Sequence, residues 1–280
     1  MPMSTSKKDE LEKIMSTGVD FKNRKIYFGS LGSEEDQDFN WTNVELVVRA
    51  LHKMCEIPRN SKKAPAPIEL HMSSDGGNVY DMMKLYDAIH TCTAQIKFYG
   101  SGYIQSSAVW IMASCDERYL HQNTVIMLHK GHGGINSDDN EVDMQISAGF
   151  NRNTTRKMCQ MLADNSRMPA DYWDMVLSRD LHLSAEEAIM LGLADKIVPY
   201  QKRGNLRRMR TALFNKEIDQ GVMDELISRI NKRVHLPSSM NVSLHIPKER
   251  ADKNIVVGEF EEEEDDTSNQ HSEEKEFQIP

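Results

Sequence analysis

An α/β fold with largely parallel strands is predicted from three observations. Short apolar runs flanked by glycine, proline or polar turn residues recur at 24–29, 68–72, 96–99 and 124–129. The stretches between them carry apolar residues at helical spacing, and the two kinds of segment alternate along the chain. Strands that alternate with helix-length crossovers are built into a sheet whose neighbours run parallel.

Taken in order, about eighteen polar residues open the chain and read as a flexible arm or a short helix. Arg24 to Gly29 is a short strand closed by glycine. The acidic Ser33-Glu34-Glu35-Asp36 follows, and residues 41–54 place Val44, Val47, Val48, Leu51 and Met54 on one face of a helix. The prolines in Lys62-Lys63-Ala64-Pro65-Ala66-Pro67 make a surface linker, because they deny the backbone both helix and central-strand pairing. Residues 68–72 are a strand and Ser73-Ser74-Asp75-Gly76-Gly77 a tight turn. A helix over 79–90 then turns Val79, Met82, Met83, Tyr86 and Ile89 inward. After the strand at 96–99, Gly100 to Gln105 reads as turn material leading into an apolar helix at Val109, Trp110 and Ala113. Long helices are predicted over 141–165 and 169–178, and Ser184 with Glu187 forms an S-x-x-E capping box for another.

Composition limits the function classes. The 280 residues, 39% hydrophobic and 28% charged, suffice for one core plus an appendage. No run approaches the roughly 20 apolar residues needed to span a bilayer, and the N-terminal residues lack the apolar segment of a signal peptide, so a cytoplasmic protein without a membrane partner is expected. Cys55, Cys92, Cys115 and Cys159 lie far apart without CxxC pairing and are expected to be buried free thiols. Residues 258–280 hold ten acids against Lys275, so the whole net charge of −9 sits there and the remaining 257 residues are formally neutral. That end reads as a disordered acidic tail, and the neutral body argues against a nucleic-acid surface. Neither GxGxxG nor GxxxxGK[ST] is present, so no nucleotide cofactor is expected.

Three residues could carry chemistry. Ser106 lies at the predicted strand-to-helix turn, close to the positive end of a helix whose first N–H groups lack intrahelical partners; a serine there ordinarily caps the helix. His129 ends a strand beside flexible residues, where sites form, although a polar strand terminus is the ordinary reading. Asp180 is a turn aspartate of the kind that orients a catalytic histidine, or else a solvated loop residue. His132 is discounted as a metal ligand because no carboxylate or cysteine stands at ligand spacing.

Residues 20–198 resemble the proteolytic subunit of the Clp protease, the ClpP family of the wider crotonase-like fold. The matching pieces are Phe21 to Phe28, Ser74-Asp75-Gly76-Gly77-Asn78-Val79, Gly102 to Ala108, Asn123 to His129, and Asp180 to Ala188 continuing through Gly192-Leu193-Ala194-Asp195. Their joint order is specific where each motif alone is loose. The resemblance implies repeated strand-turn-helix units with a protruding helical handle. It also implies a serine endopeptidase with Ser106 as nucleophile, His129 as general base then acid, and Asp180 orienting it. The oxyanion hole would come from the backbone N–H of Gly76 and Ser107, with Gly77 supporting the turn. A homo-oligomeric ring contacting through Arg179, an AAA+ unfoldase partner and polypeptide substrates belong to the same expectation, with no cofactor or metal. Asp75, Tyr103-Ile104-Gln105, Ser107, Ala108 and Lys130-Gly131 depart from the residues usual in the family. The alternatives are an inactive scaffold that kept the fold and a crotonase-type acyl-CoA enzyme.

The resulting organisation is a flexible arm over 1–19, a peptidase-like domain over 20–200, a helical extension over 201–257 and the acidic tail over 258–280. In the extension, Lys202-Arg203, Arg207-Arg208 and Arg210 form a basic patch. Ile218, Val222, Leu226, Ile227 and Ile230 stand at helical spacing, so a helix docked on the body or on a partner is expected.

Overall fold

The computed structural model describes residues 5–29, 39–56, 65–131, 140–198, 201–202, 205–206 and 220–236. The expectations for the acidic Ser33 to Asp36, the first half of the proline linker, His132, most of the basic patch, Ile218 and the acidic tail fall outside these residues.

The N-terminal segment takes the helical alternative: α1 (Thr5–Thr17) leads into β1 (Val19–Asp20), which folds back antiparallel on β2 (Lys25–Phe28). From β2 the sheet grows by parallel pairing to β3 (Ile68–Ser74) and β4 (Ile96–Gln105), as the alternating pattern requires. The helices between are α2 (Trp41–Cys55) and α3 (Val79–Thr91). Asn40 and Asn78 cap them, their side-chain oxygens accepting the orphan N–H groups of the first turn. All five residues expected on the inner face of α2 are buried. In α3 the buried residues are Met82, Leu85, Ala88 and Ile89, while Val79, Met83 and Tyr86 pack at the margin.

β4 is longer than its sequence suggests. Gly100 and Gly102, which read as turn material, lie inside the strand and let it change partners. Residues 97–100 pair with β5 (Glu117–Leu120), and residues 103–105 pair with β6 (Val125–Leu128). At Gly100 a Cβ would come within 2.7 Å of the Leu120 side chain, and Gly102 has a φ of +66° where the register against β3 shifts. β5 continues to β8 (Lys196–Ile197), and β6 carries β7 (Leu181–Ser184) antiparallel on its far side. The wholly buried α4 (Ser107–Ser114) leaves the end of β4, and the Trp110 indole N–H donates to the Met158 carbonyl, tying α4 to α5 (Glu141–Asp164). α5 is divided. Met158 and Leu162 belong to the core, whereas Val142, Ile146 and Phe150 in its first half are exposed. The helices α6 (Ala170–Val176) and α7 (Ala185–Met190) follow, the latter starting on the predicted capping box.

α8 (Gln220–Arg233) docks on this body and buries Met223, Leu226, Ile227 and Ile230, with Val234 beyond its end. Val222, expected on the inner face, is exposed, and Met223 takes its place.

The cysteine expectation is corrected for one pair. Cys115 and Cys159 are buried free thiols, but Cys55 and Cys92 form a disulfide with a Cα–Cα distance of 5.8 Å. Their separation of 37 residues hides the proximity. α2 and α3 lie side by side, so the last residue of one reaches the C-cap of the other.

Candidate active site

The sheet register assembles the site. β4 pairs with β6 through Gln105 and Met127, and the Ser106 N–H donates to the Met127 carbonyl at 2.8 Å. Ser106 therefore stands just beyond the end of β4, next to the strand that ends before His129. On the other side of β6, Leu128 pairs with Leu181. One antiparallel step further sets His129 opposite Asp180, and three residues distant in sequence converge at one end of the strands β4, β6 and β7.

Ser106 occupies a backbone conformation that an L-residue seldom adopts, φ 49° and ψ −129°. Such a position costs about 1–3 kcal/mol and persists only where the surroundings enforce it. The capping alternative does not hold. Ser106 makes no side-chain cap hydrogen bond; its Oγ lies 2.8 Å from Nε2 of His129. Ser107 does not cap α4 either, because its hydroxyl donates to the Gly77 carbonyl at 2.8 Å. Asp180 reaches the other ring nitrogen less closely: Oδ1 is 3.8 Å from His129 Nδ1, beyond hydrogen-bond length, and its side chain is 64% exposed against 18% for His129. Lys130, next to the histidine, pairs with Asp174 on α6 at 2.8 Å, and its N–H donates to the Leu177 carbonyl.

The glycine turn packs directly on the serine. A Cβ on Gly76 (φ +98°) would lie 2.6 Å from Ser106 Cβ and 2.9 Å from the Ser107 nitrogen. The Gly76 N–H, expected to face an oxyanion, instead donates to Ser74 Oγ at 3.1 Å. The neighbouring residue is oriented from outside the turn. The Phe39 N–H donates to the Gly76 carbonyl and the Asn78 N–H donates to the Phe39 carbonyl, so Gly76 and Asn78 hold Phe39 from either side of Gly77. Sequence reasoning missed Ser74 and Phe39 here. The only local signal was the serine two residues before the first glycine. Asp75 is exposed.

Fold and site together define an α/β crossover protein with a strained serine in proton-transfer contact with a histidine. Residues 39–201, more than half of the sequence, match the family model described as Clp protease, and the chain belongs to that family. A relative from Pseudomonas aeruginosa, the ATP-dependent Clp protease proteolytic subunit 2, is 29% identical over 157 residues, covering 54% of this chain and 73% of that protein. Among the described residues no helix is long and apolar enough to cross a membrane.

Proposed function

We propose that this chain is a serine endopeptidase that hydrolyses peptide bonds of unfolded chains through an acyl-enzyme. The carrying observation is the 2.8 Å approach of Ser106 Oγ to His129 Nε2 at a serine held in a strained turn. In this reading His129 Nε2 takes the hydroxyl proton as Oγ attacks the scissile carbonyl carbon. It then delivers that proton to the leaving amine, and serves as base again when water attacks the ester. Asp180 faces Nδ1 and favours the tautomer that leaves Nε2 free, its 3.8 Å separation closing when the imidazolium forms.

Two N–H groups stabilise the tetrahedral oxyanion. One is that of Ser107, at the first turn of α4. The other is assigned to Gly77 rather than Gly76. Gly76 is already donating to Ser74, and the Gly77 carbonyl turns away from Phe39 to accept from Ser107. Across the parallel bridge to Phe39 it is Gly76 and Asn78 that bond Phe39, so the N–H and C=O of Gly77 both face the other way, which turns the Gly77 N–H toward the serine. An acyl-CoA enzyme of the crotonase type would use the same N–H pair but would give Ser106 and His129 no reason to be in contact.

The reading extends to a ring of identical subunits fed by an AAA+ unfoldase. It is supported by the name of the Pseudomonas relative and by the exposed Val142, Ile146 and Phe150 of α5, an apolar face too wide for a solvated helix. A fluorophosphonate probe tests the chemistry. Labelling at Ser106, abolished by Ser106→Ala with the oligomer intact, is the expected result. A folded protein that neither labels nor cleaves unfolded casein would favour the inactive scaffold.

A further inference from the structure

The C-terminal helix α8 lies beyond the region matched to the family, yet it grips the strand that carries Asp180. Among the described strands β7 pairs with β6 alone, and its backbone is also met by Arg233 at the end of α8. The Arg233 guanidinium forks: Nη1 donates to the His182 carbonyl at 3.1 Å and to Glu187 Oε2 at 3.0 Å, and Nη2 donates to Glu187 Oε1 at 2.5 Å. Glu187 is no passive partner. It closes the capping box of α7, accepting the Ser184 N–H at 2.9 Å while its own N–H donates to Ser184 Oγ. One guanidinium thus ties together His182 in mid-strand, the strand's end at Ser184 and the start of α7. The residue before the strand is Asp180.

The clamp is built to hold its geometry. Glu187 is 7% exposed, and an almost buried carboxylate requires a cation and hydrogen bonds. Arg233 is anchored from behind by Met223, Leu226, Ile227 and Ile230, all buried. Burial alone would raise the Glu187 pKa, but Arg233 and the Ser184 N–H hold it below its ordinary value, and Glu187 in turn raises that of Arg233. Among the described residues the Asp180 carboxylate has no such clamp. Its side chain is mostly exposed and stands 3.8 Å from His129, so its aim depends on where the backbone of β7 is held.

We infer that Arg233 is a positioning residue: through His182 and Glu187 it fixes β7, and with it the approach of Asp180 to His129. This rests on the peptidase reading for its effect on rate, but its effect on His129 is independent of that reading. Among the described residues, Asp180 before β7 faces one ring nitrogen of His129, Ser106 contacts the other, and the adjacent Lys130 is paired with Asp174 of α6.

The test measures the full-length chain and its Arg233→Ala and Arg233→Lys variants in two ways. Peptide hydrolysis gives kcat and KM, and NMR titration of the His129 imidazole reads its neighbour directly. The alanine variant should lose about tenfold in kcat with KM little changed. Its His129 midpoint should fall, because a receding carboxylate supports the imidazolium less. Lysine keeps the charge without the fork and should recover part of both effects while preserving the fold. A wild-type protein without turnover whose His129 midpoint still moves in Arg233→Ala would sink the peptidase reading and leave the clamp standing. Unchanged kcat and an unchanged His129 midpoint in folded Arg233→Ala or Arg233→Lys protein would overturn the clamp.

Discussion

A methyl group added at Gly76 should damage stability and labelling together. The backbone there has a φ of +98°, and the new Cβ would meet Ser106 Cβ at 2.6 Å, the Gln105 carbonyl oxygen at 2.8 Å and the Ser107 nitrogen at 2.9 Å. Two of these three contacts are backbone atoms, which cannot rotate aside as a side-chain tip would. Strain at a sparsely populated φ costs about 1–3 kcal/mol and forced displacement in a packed region about 1–3 more, so Gly76→Ala should lose roughly 2–6 kcal/mol. The displaced atoms belong to Ser106 and Ser107, so fluorophosphonate labelling of the still-folded fraction should fall as well. Urea unfolding followed by circular dichroism measures the first effect, and labelling rate below the transition the second. Gly149 provides the internal control. It lies within α5 with nothing inside 4 Å of an added Cβ, so Gly149→Ala should stabilise by about 0.5–1 kcal/mol. A Gly76→Ala protein with an unchanged urea midpoint and labelling rate would refute the packing of the glycine turn on the serine.

Reduction of the Cys55–Cys92 bridge, or Cys55→Ser with Cys92→Ser, should lower the melting temperature. A bridge spanning 37 residues constrains the unfolded chain by about 4 kcal/mol, or roughly 10 °C for a domain of this size, and calorimetry with and without reductant that finds no difference would remove the disulfide from the account of stability. Glu187 makes stability depend on acid. Its folded pKa lies below the ordinary value of 4.5, so its contribution is complete above that value and is lost as pH falls through the folded one. The urea midpoint of the wild type should therefore drop more steeply below about pH 4.5 than that of Glu187→Gln, and parallel curves would contradict this. Ile146→Glu with Phe150→Glu should dissociate the proposed oligomer in light scattering without unfolding it, since both side chains are more than half exposed. A dissociated double variant that has also unfolded would instead place them in the core.

Much of the fold was legible because its elements carry strong periodicity. The five inward residues of α2 are an example, and the Ser184–Glu187 box placed the start of α7. β5 and β7 were not anticipated. Glu117 to Leu120 opens on two adjacent charged residues and Leu181 to Ser184 alternates over only four, too short for a periodic signal, and pairing with β4 and β6 makes them strands. Gly100 to Gln105 failed in the opposite sense. Two glycines in three residues are strong turn signals, but here they let one strand serve two neighbours, a property of the sheet and not of the segment.

The site divides along the same line. Ser106, His129 and Asp180 were placed by matching motifs, and the register of three strands brings them together at the strand ends. Counting along the sequence favoured Gly76 over Gly77, yet both stand in the same turn at compatible distances from Ser106. What separates them is peptide orientation, set by Phe39 on one side and by Ser107 on the other, 38 residues before Gly77 and 30 after it. Phe39 itself is wholly buried and pairs as an isolated bridge, and nothing in its flanking sequence marks it as the partner of a glycine turn. The cysteine pair follows from the same geometry. α2 begins next to the Phe39–Gly77 bridge and α3 just after it, so once the near ends are fixed the helices run alongside and carry Cys55 to Cys92. One backbone bridge thus accounts both for the orientation of the glycine turn against the serine and for the disulfide at the far end of the helices.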